Sequence, residues 1–168
     1  MTVYWTTCKH DTWEFYAAAT EKGLCYLGPR HLAENEMEVF LQKQLPHERM
    51  EENDQPLISY IAELQEYLNG NRRNFELQLD LYGTSFQQQV WQALQQIPFG
   101  QTVTYSDIAK SIEKPKAVRA VGTAIGANPI FIIVPCHRVI GKDGALTGFR
   151  GGLDMKERLL LFEKGVET

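Results

Sequence analysis

The spacing of apolar residues changes at positions 81–85, and this change confines the chain to folds made of two differently built parts. Phe75, Leu77, Leu79 and Leu81 alternate with polar neighbours, the period-two pattern of a strand with one face buried. Beyond Tyr82-Gly83-Thr84, the residues Phe86, Val90, Leu94 and Ile97 recur at helical spacing. The break predicts a domain boundary, with residues 1–81 forming an α/β domain and residues 82–168 a second domain. A length of 168 residues suffices for two small cores.

The first part predicts short strands around Val3 to Trp5, Trp13 to Ala17 and Leu24 to Leu27, with a turn at Glu21-Lys22-Gly23. A helix follows through Met37, Phe40, Leu41 and Leu45 and ends at Pro46. Residues 47–56 are polar and read as a loop. Leu57, Tyr60, Ile61, Leu64 and Leu68 share one helical face, which Asn69-Gly70 terminates. The alternating stretch over 75–81 is then the strongest strand pattern in the chain.

The second part predicts a helix capped by Ser85-x-x-Gln88 and another capped by Thr104-x-x-Asp107. Pro115 suits the first turn of a third, over about 116–127. The last two make a helix-turn-helix candidate, a pattern that most often serves packing alone. The third helix is unusual in carrying Ala117, Ala120, Gly122, Thr123, Ala124 and Gly126. Small residues let a backbone approach closely, either to another helix or into a nucleic-acid groove, where Arg119 would be the long probe. Residues 130–134 form an apolar run that reads as a buried strand. Lys142-Asp143-Gly144 reads as a turn between short strands, and Asp154-x-x-Glu157 as the cap of a last helix.

The formal net charge is −4, unevenly spread. Residues 1–83 hold seven Lys/Arg against fourteen Asp/Glu, net −7, and residues 84–168 hold ten against seven, net +3. A polyanionic partner would meet the second half. No stretch approaches the ~20 apolar residues of a membrane span, and the N-terminus has no basic segment followed by an apolar one. Cys8, Cys25 and Cys136 fit neither a disulfide framework nor a zinc motif. These features predict reduced thiols, a cytoplasmic protein, no membrane, no metal and no cofactor.

The apolar run leads into Pro135-Cys136-His137-Arg138. A cysteine beside His and Arg is in a setting that favours thiolate, the reactive species. The commoner role of a cysteine is that of a small buried hydrophobe. Neighbours in a strand also face opposite ways, so direct proton transfer between Cys136 and His137 requires a bend or a bridging water.

Four segments then stand in order: Arg119-Ala120-Val121-Gly122, Ala127-Asn128-Pro129, Pro135-Cys136-His137-Arg138-Val139-Ile140-Gly141 and Gly151-Gly152-Leu153. Together they resemble the O6-alkylguanine-DNA alkyltransferases, also called methylated-DNA–protein-cysteine methyltransferases, over about residues 82–165. The first 80 residues fit in size and strand–helix order.

The resemblance implies an α+β protein with a ribonuclease-H-like N-terminal domain and a C-terminal winged helix-turn-helix. It implies a monomer that repairs double-stranded DNA containing O6-alkylguanine, and also O4-alkylthymine, by one irreversible transfer. Cys136 matches the alkyl acceptor, His137 its base acting through water, and Glu163 the carboxylate that orients the histidine. Asn128 matches the hinge asparagine and Tyr105 the tyrosine that protonates departing guanine. Arg119 matches the finger that replaces the flipped base, since an alkyl group on O6 is unreachable inside the stack. Ser106, Ala117, Ala120, Gly122, Thr123 and Lys142 fall at DNA-facing positions of a minor-groove contact. Val139, Phe149 and Arg150 fall around the guanine pocket, with Val139 contributing its carbonyl and Arg150 its backbone N–H.

Phe149-Arg150 stands where mammalian members have Tyr-Ser, which changes the pocket rim. Alkyltransferase-like proteins that only bind damage carry tryptophan in place of the acceptor, so Cys136 argues for transfer. A cysteine hydrolase would want a nucleophile-elbow motif, and a sequence-specific regulator would want polar base-reading side chains on 116–127. The sequence offers no such motif, and such side chains are nearly absent from 116–127.

Overall fold

The computed structural model describes residues 1–165. The chain divides into two compact units, Met1–Tyr82 and Gly83–Thr168.

The first unit is built on a four-stranded sheet of β1 (Thr2–His10), β2 (Trp13–Thr20), β3 (Gly23–Pro29) and β4 (Arg49–Glu52), ordered β3-β2-β1-β4. The first three lie where the sequence predicts strands and pair antiparallel through tight turns, of which the one at Glu21-Lys22 is predicted, and β4 runs parallel to β1. Helix α1 (Glu36–Gln44) provides the connection that a parallel pairing needs. Its Met37 and Leu41 join Val3, Ala18, Cys25 and Tyr26 in one core cluster. Helix α2 (Ile58–Leu68) buries Leu64 and Tyr67, and Tyr67 lies 5.6 Å from the Phe75 ring.

Two expectations for this unit need correction. The segment read as a loop over 47–56 contains β4, whose Arg-Met-Glu-Glu sequence has no apolar alternation to betray it. The alternating stretch over 75–81 is not a regular strand. It touches β3 through a single parallel bridge, Leu24 to Leu79, closed by Leu24 N–H donating to Gln78 O (3.0 Å) and Asp80 N–H to Leu24 O (2.8 Å). Its residues still alternate between half-buried and exposed over 75–79, because alternation records which side faces the core and not whether a ladder forms.

The second unit contains α3 (Ser85–Leu94), β5 (Val103–Thr104), α4 (Tyr105–Ser111), α5 (Val118–Gly126), β6 (Val139–Ile140) and α6 (Leu153–Glu163). The capping box of α3 is Thr84 with Gln87, one residue ahead of the predicted Ser85 and Gln88. The box of α4 is Thr104 with Asp107, as predicted. Helix α5 begins two residues later than its sequence suggests, with Ala117 at its N-cap and Pro115 outside it. Trp91 Nε1 donates to Ala124 O at 2.9 Å and ties α3 to α5.

Three further expectations fail here. Residues 130–134 form a buried turn, with Ile132 at φ 70°, a left-handed conformation rare for a β-branched residue. No strand follows the turn at 142–144. Gly141 N–H donates to Ala145 O at 2.8 Å and closes that turn, while β6 pairs in parallel with β5. Helix α6 is capped by Gly152, not by Asp154. Among the described residues, no helix is long and apolar enough to cross a membrane. Among them, no group of three or more His, Cys, Asp or Glu is placed to hold a metal ion.

Candidate active site

Cys136 stands in a single turn of 3-10 helix, Cys136–Arg138, that follows the buried turn. Side chains in such a turn project about 120° apart. Cys136 therefore lines a small pocket while His137, fully buried, faces α6. This resolves the difficulty of adjacent strand residues, since the segment is not a strand.

Asn128 holds the approach to that turn. Its side-chain Nδ2 donates to Ile130 O (3.1 Å) and Val134 O (2.8 Å), and its Oδ1 accepts from Ile130 N–H (3.0 Å). One buried amide thus satisfies three backbone groups that neither a helix nor a sheet serves. Those bonds fix the left-handed kink at Ile132 and with it the direction of Cys136.

Behind the thiol lies an ionic cluster. His137 Nε2 is 2.7 Å from Glu163 Oε2. Arg138 donates from Nε to Glu163 Oε1 (2.7 Å) and from Nη2 to Oε2 (2.9 Å), and from Nη1 to Ile97 O (2.7 Å). Gly100 N–H adds a bond to Glu163 Oε1 at 3.3 Å. Burial alone would raise the Glu163 pKa. The hydrogen bonds from His137 and Arg138 more than reverse this and hold the carboxyl well below the usual carboxylate range. Burial lowers the His137 pKa, against the pull of Glu163. At neutral pH the imidazole is accordingly neutral. The geometry assigns its proton to Nε2, which donates to Glu163, and leaves the Nδ1 lone pair as a base.

Burial pushes the Cys136 thiol pKa up, partly offset by the Asn128 amide and by the charges of Arg150 and Lys156. The resting group is a thiol, and a base must remove its proton when it reacts. Burial also raises the other two thiols, Cys8 to about 11 and Cys25 to about 12.

The pocket in front of Cys136 is lined by Tyr105, Asn128, Phe149 and Arg150, all singled out from the sequence, together with Ile125, Gly126, Phe131 and Gly148. Tyr105 shares a 2.7 Å hydrogen bond between hydroxyls with Thr147. Val139 is buried in β6, paired with Val103, and does not line this pocket. Arg119, Ala120 and Thr123 are exposed on α5, with Ala117 and Gly122 half-buried beside them. A Cβ at Gly122 would stand 3.8 Å from the Tyr105 ring, an ordinary van der Waals contact. Ser106 is half-buried at the start of α4, and Lys142 is exposed in its turn.

Sequence reasoning missed two members of this site. Arg138 was seen only as a neighbour of the thiol, and its pairing with Glu163 spans 25 positions. Lys156 is 1% exposed, donates from Nζ to Thr147 O at 3.2 Å, and has its pKa lowered by burial against the opposing effect of Cys136. A signal for it existed. Lys156, Leu159, Leu160 and Glu163 fall at i, i+3, i+4 and i+7, so both charges share the buried stripe of α6.

Two sequence-family models match the chain. The DNA-binding domain of 6-O-methylguanine DNA methyltransferase matches residues 85–165, and the ribonuclease-like domain of the same protein matches residues 3–81. An inducible methylated-DNA–protein-cysteine methyltransferase of Bacillus subtilis is 50% identical over 163 residues, covering 97% of this chain and 91% of that protein. A Mycobacterium tuberculosis O6-methylguanine methyltransferase structure superposes with a TM-score of 0.84 at 37% identity, covering 99% of this chain and 96% of the other. The M. tuberculosis OGT structure in complex with DNA superposes with a TM-score of 0.82 at 37% identity, covering 96% and 93%. With its two units matched in turn by the two domain models, the chain belongs to the 6-O-methylguanine DNA methyltransferase family.

Proposed function

We propose that this protein reverses alkylation damage in DNA by moving a methyl or other alkyl group from guanine O6 to its own Cys136, once per chain. The observation that carries this reading is a buried thiol facing a pocket, backed by the His137–Glu163–Arg138 cluster. Water bridging to His137 Nδ1 takes the thiol proton. The sulfur–carbon bond forms as the carbon–O6 bond breaks, and the electron pair departs with guanine. Guanine takes a proton from the Tyr105 hydroxyl, which solvent restores. Glu163 stabilises the imidazolium formed on the way.

The product is a thioether, and nothing in the pocket offers a route back to the thiol. The reaction is stoichiometric. The face of α5 that exposes Arg119 and Ala120, with Ala117 and Gly122 half-buried beside them, suits a shallow minor-groove contact in which Arg119 fills the place of an extruded base. Three free cysteines suit a reducing cytoplasm, where we place the protein.

The direct test is intact-protein and peptide mass after mixing with a duplex carrying one O6-methylguanine. The expected result is one added methyl on the Cys136 peptide, absent in Cys136→Ala. An unchanged mass with the duplex retained would instead indicate a damage-binding module.

A further inference from the structure

The wall of the Cys136 pocket formed by residues 148–152 is anchored unequally. Gly151 is packed tightly, since a Cβ there would stand 2.6 Å from Met155 Sδ and 2.8 Å from the Phe149 ring. Phe149 meets Phe131 edge-on, with ring centroids 5.4 Å apart and planes at 79°. Arg150 reaches across to the other wall. Its Nη1 donates to Gly126 O at 2.7 Å and its Nη2 to Asn128 O at 2.8 Å, with the guanidinium 4.8 Å from the Phe131 ring centroid.

The anchor is well chosen chemically. Gly126 lies at the C-terminal end of α5, where carbonyls lack helical partners and the dipole favours a cation. The planar fork of arginine spans two carbonyls at once, which a lysine ammonium does with difficulty. With this strap in place the cavity measures about 10 Å³, space for about one water. An extruded alkylguanine cannot enter until a wall moves. Phe149 and Gly151 are held by packing against rings and the Met155 side chain, whereas Arg150, beside its ring contact with Phe131, is held by polar bonds that water can replace.

We propose that the Arg150 side chain is a latch that closes the Cys136 pocket, and that its release is what a bulky alkyl group requires; the size role rests on the alkyl-transfer reading of this pocket. Access and charge make opposite predictions for its removal. The guanidinium draws the thiol toward thiolate, so losing it slows thiolate chemistry unless access improves.

The experiment is labelling of Cys136 by iodoacetamide without DNA, read by peptide mass, in the wild type, Arg150→Ala and Arg150→Lys. The thiol sulfur displaces iodide and its proton passes to buffer. Labelling in Arg150→Ala is expected to be roughly tenfold faster, the scale of one lost charge-assisted hydrogen bond, with Arg150→Lys also faster. Reaction with free O6-benzylguanine is expected to accelerate by at least the same factor. Unchanged or slower labelling in both variants overturns the latch, and the lysine variant, which keeps charge and most of the bulk, guards against a folding defect. Faster labelling without faster benzyl transfer overturns the size role. A wild type that takes no methyl from an O6-methylguanine duplex removes the alkyl-transfer reading, while the iodoacetamide arm still judges the latch.

Discussion

Glu163 shows how much one side chain can organise. Its two oxygens receive His137, both forks of Arg138 and the Gly100 amide. Replacing it with Gln leaves the Arg138 guanidinium buried without its counter-charge, and Glu163→Gln should lose about 3–5 kcal/mol at pH 7, the usual consequence of breaking a buried pair. The pH dependence has a definite sign. A carboxyl whose folded pKa is depressed stabilises fully above its unfolded value and loses that contribution as pH falls toward the folded value. The stability gap between wild type and variant should therefore narrow below about pH 4.3, the ordinary glutamate value. His137, also depressed, should weaken the fold from about pH 6.5 downward in both proteins. Urea unfolding across pH measures this, and a gap independent of pH would contradict the assignment of Glu163 as an ionised partner. The residues of the site were legible in the sequence because Pro-Cys-His-Arg is a rare local pattern. Arg138 and Lys156 escaped because their importance lies in burial and in partners far along the chain.

Among the elements, the sequence was clearest where a residue's local chemistry decides the outcome. The Thr104–Asp107 box and the apolar stripe of α2 were readable for that reason. The box of α3 was displaced by one because Thr84 and Ser85 offer the same hydroxyl and Gln87 and Gln88 the same amide. The structure makes that choice testable. Thr84→Ala should destabilise the protein by about 1 kcal/mol through loss of its bond from the Gln87 amide. Ser85→Ala, at a position with no such bond, should stay within about 0.5 kcal/mol of the wild type. Thermal unfolding of the pair decides it, and equal losses would refute the observed register. The buried turn at 130–134 was unreadable for a different reason. Five consecutive apolar residues carry no period, so they announce burial and nothing about conformation, and the kink at Ile132 depends on the Asn128 side chain. Strand β4 was missed because its parallel partner, β1, lies more than forty positions away.

At the scale of the whole molecule, the charge is divided between an acidic first half and a mildly basic second half. The exposed cations on and near α4 and α5 are Lys110, Lys114, Lys116, Arg119 and Lys142. If each met one phosphate, the logarithmic salt dependence of duplex affinity would have a slope of about −4.5, so the measured slope should be no steeper than that. A much steeper slope would require phosphate contacts from elsewhere. Arg119→Ala should slow repair of O6-methylguanine in duplex DNA far more than reaction with free O6-benzylguanine, and equal slowing on both substrates would exclude its role in base extrusion.

The four-stranded sheet of the first unit also bears on how the protein behaves in a crowded solution. An open sheet offers its two outer strands as templates for a neighbour, the common first step of aggregation. Here both are blunted. The stretch around Leu79 meets β3 through one bridge at Leu24, and β4 is four residues long and carries Arg49, Glu51 and Glu52. A protein consumed by a single reaction, as proposed above, leaves its spent copies in solution, and a sheet whose outer strands are short, charged or partly covered offers those copies little to stack on.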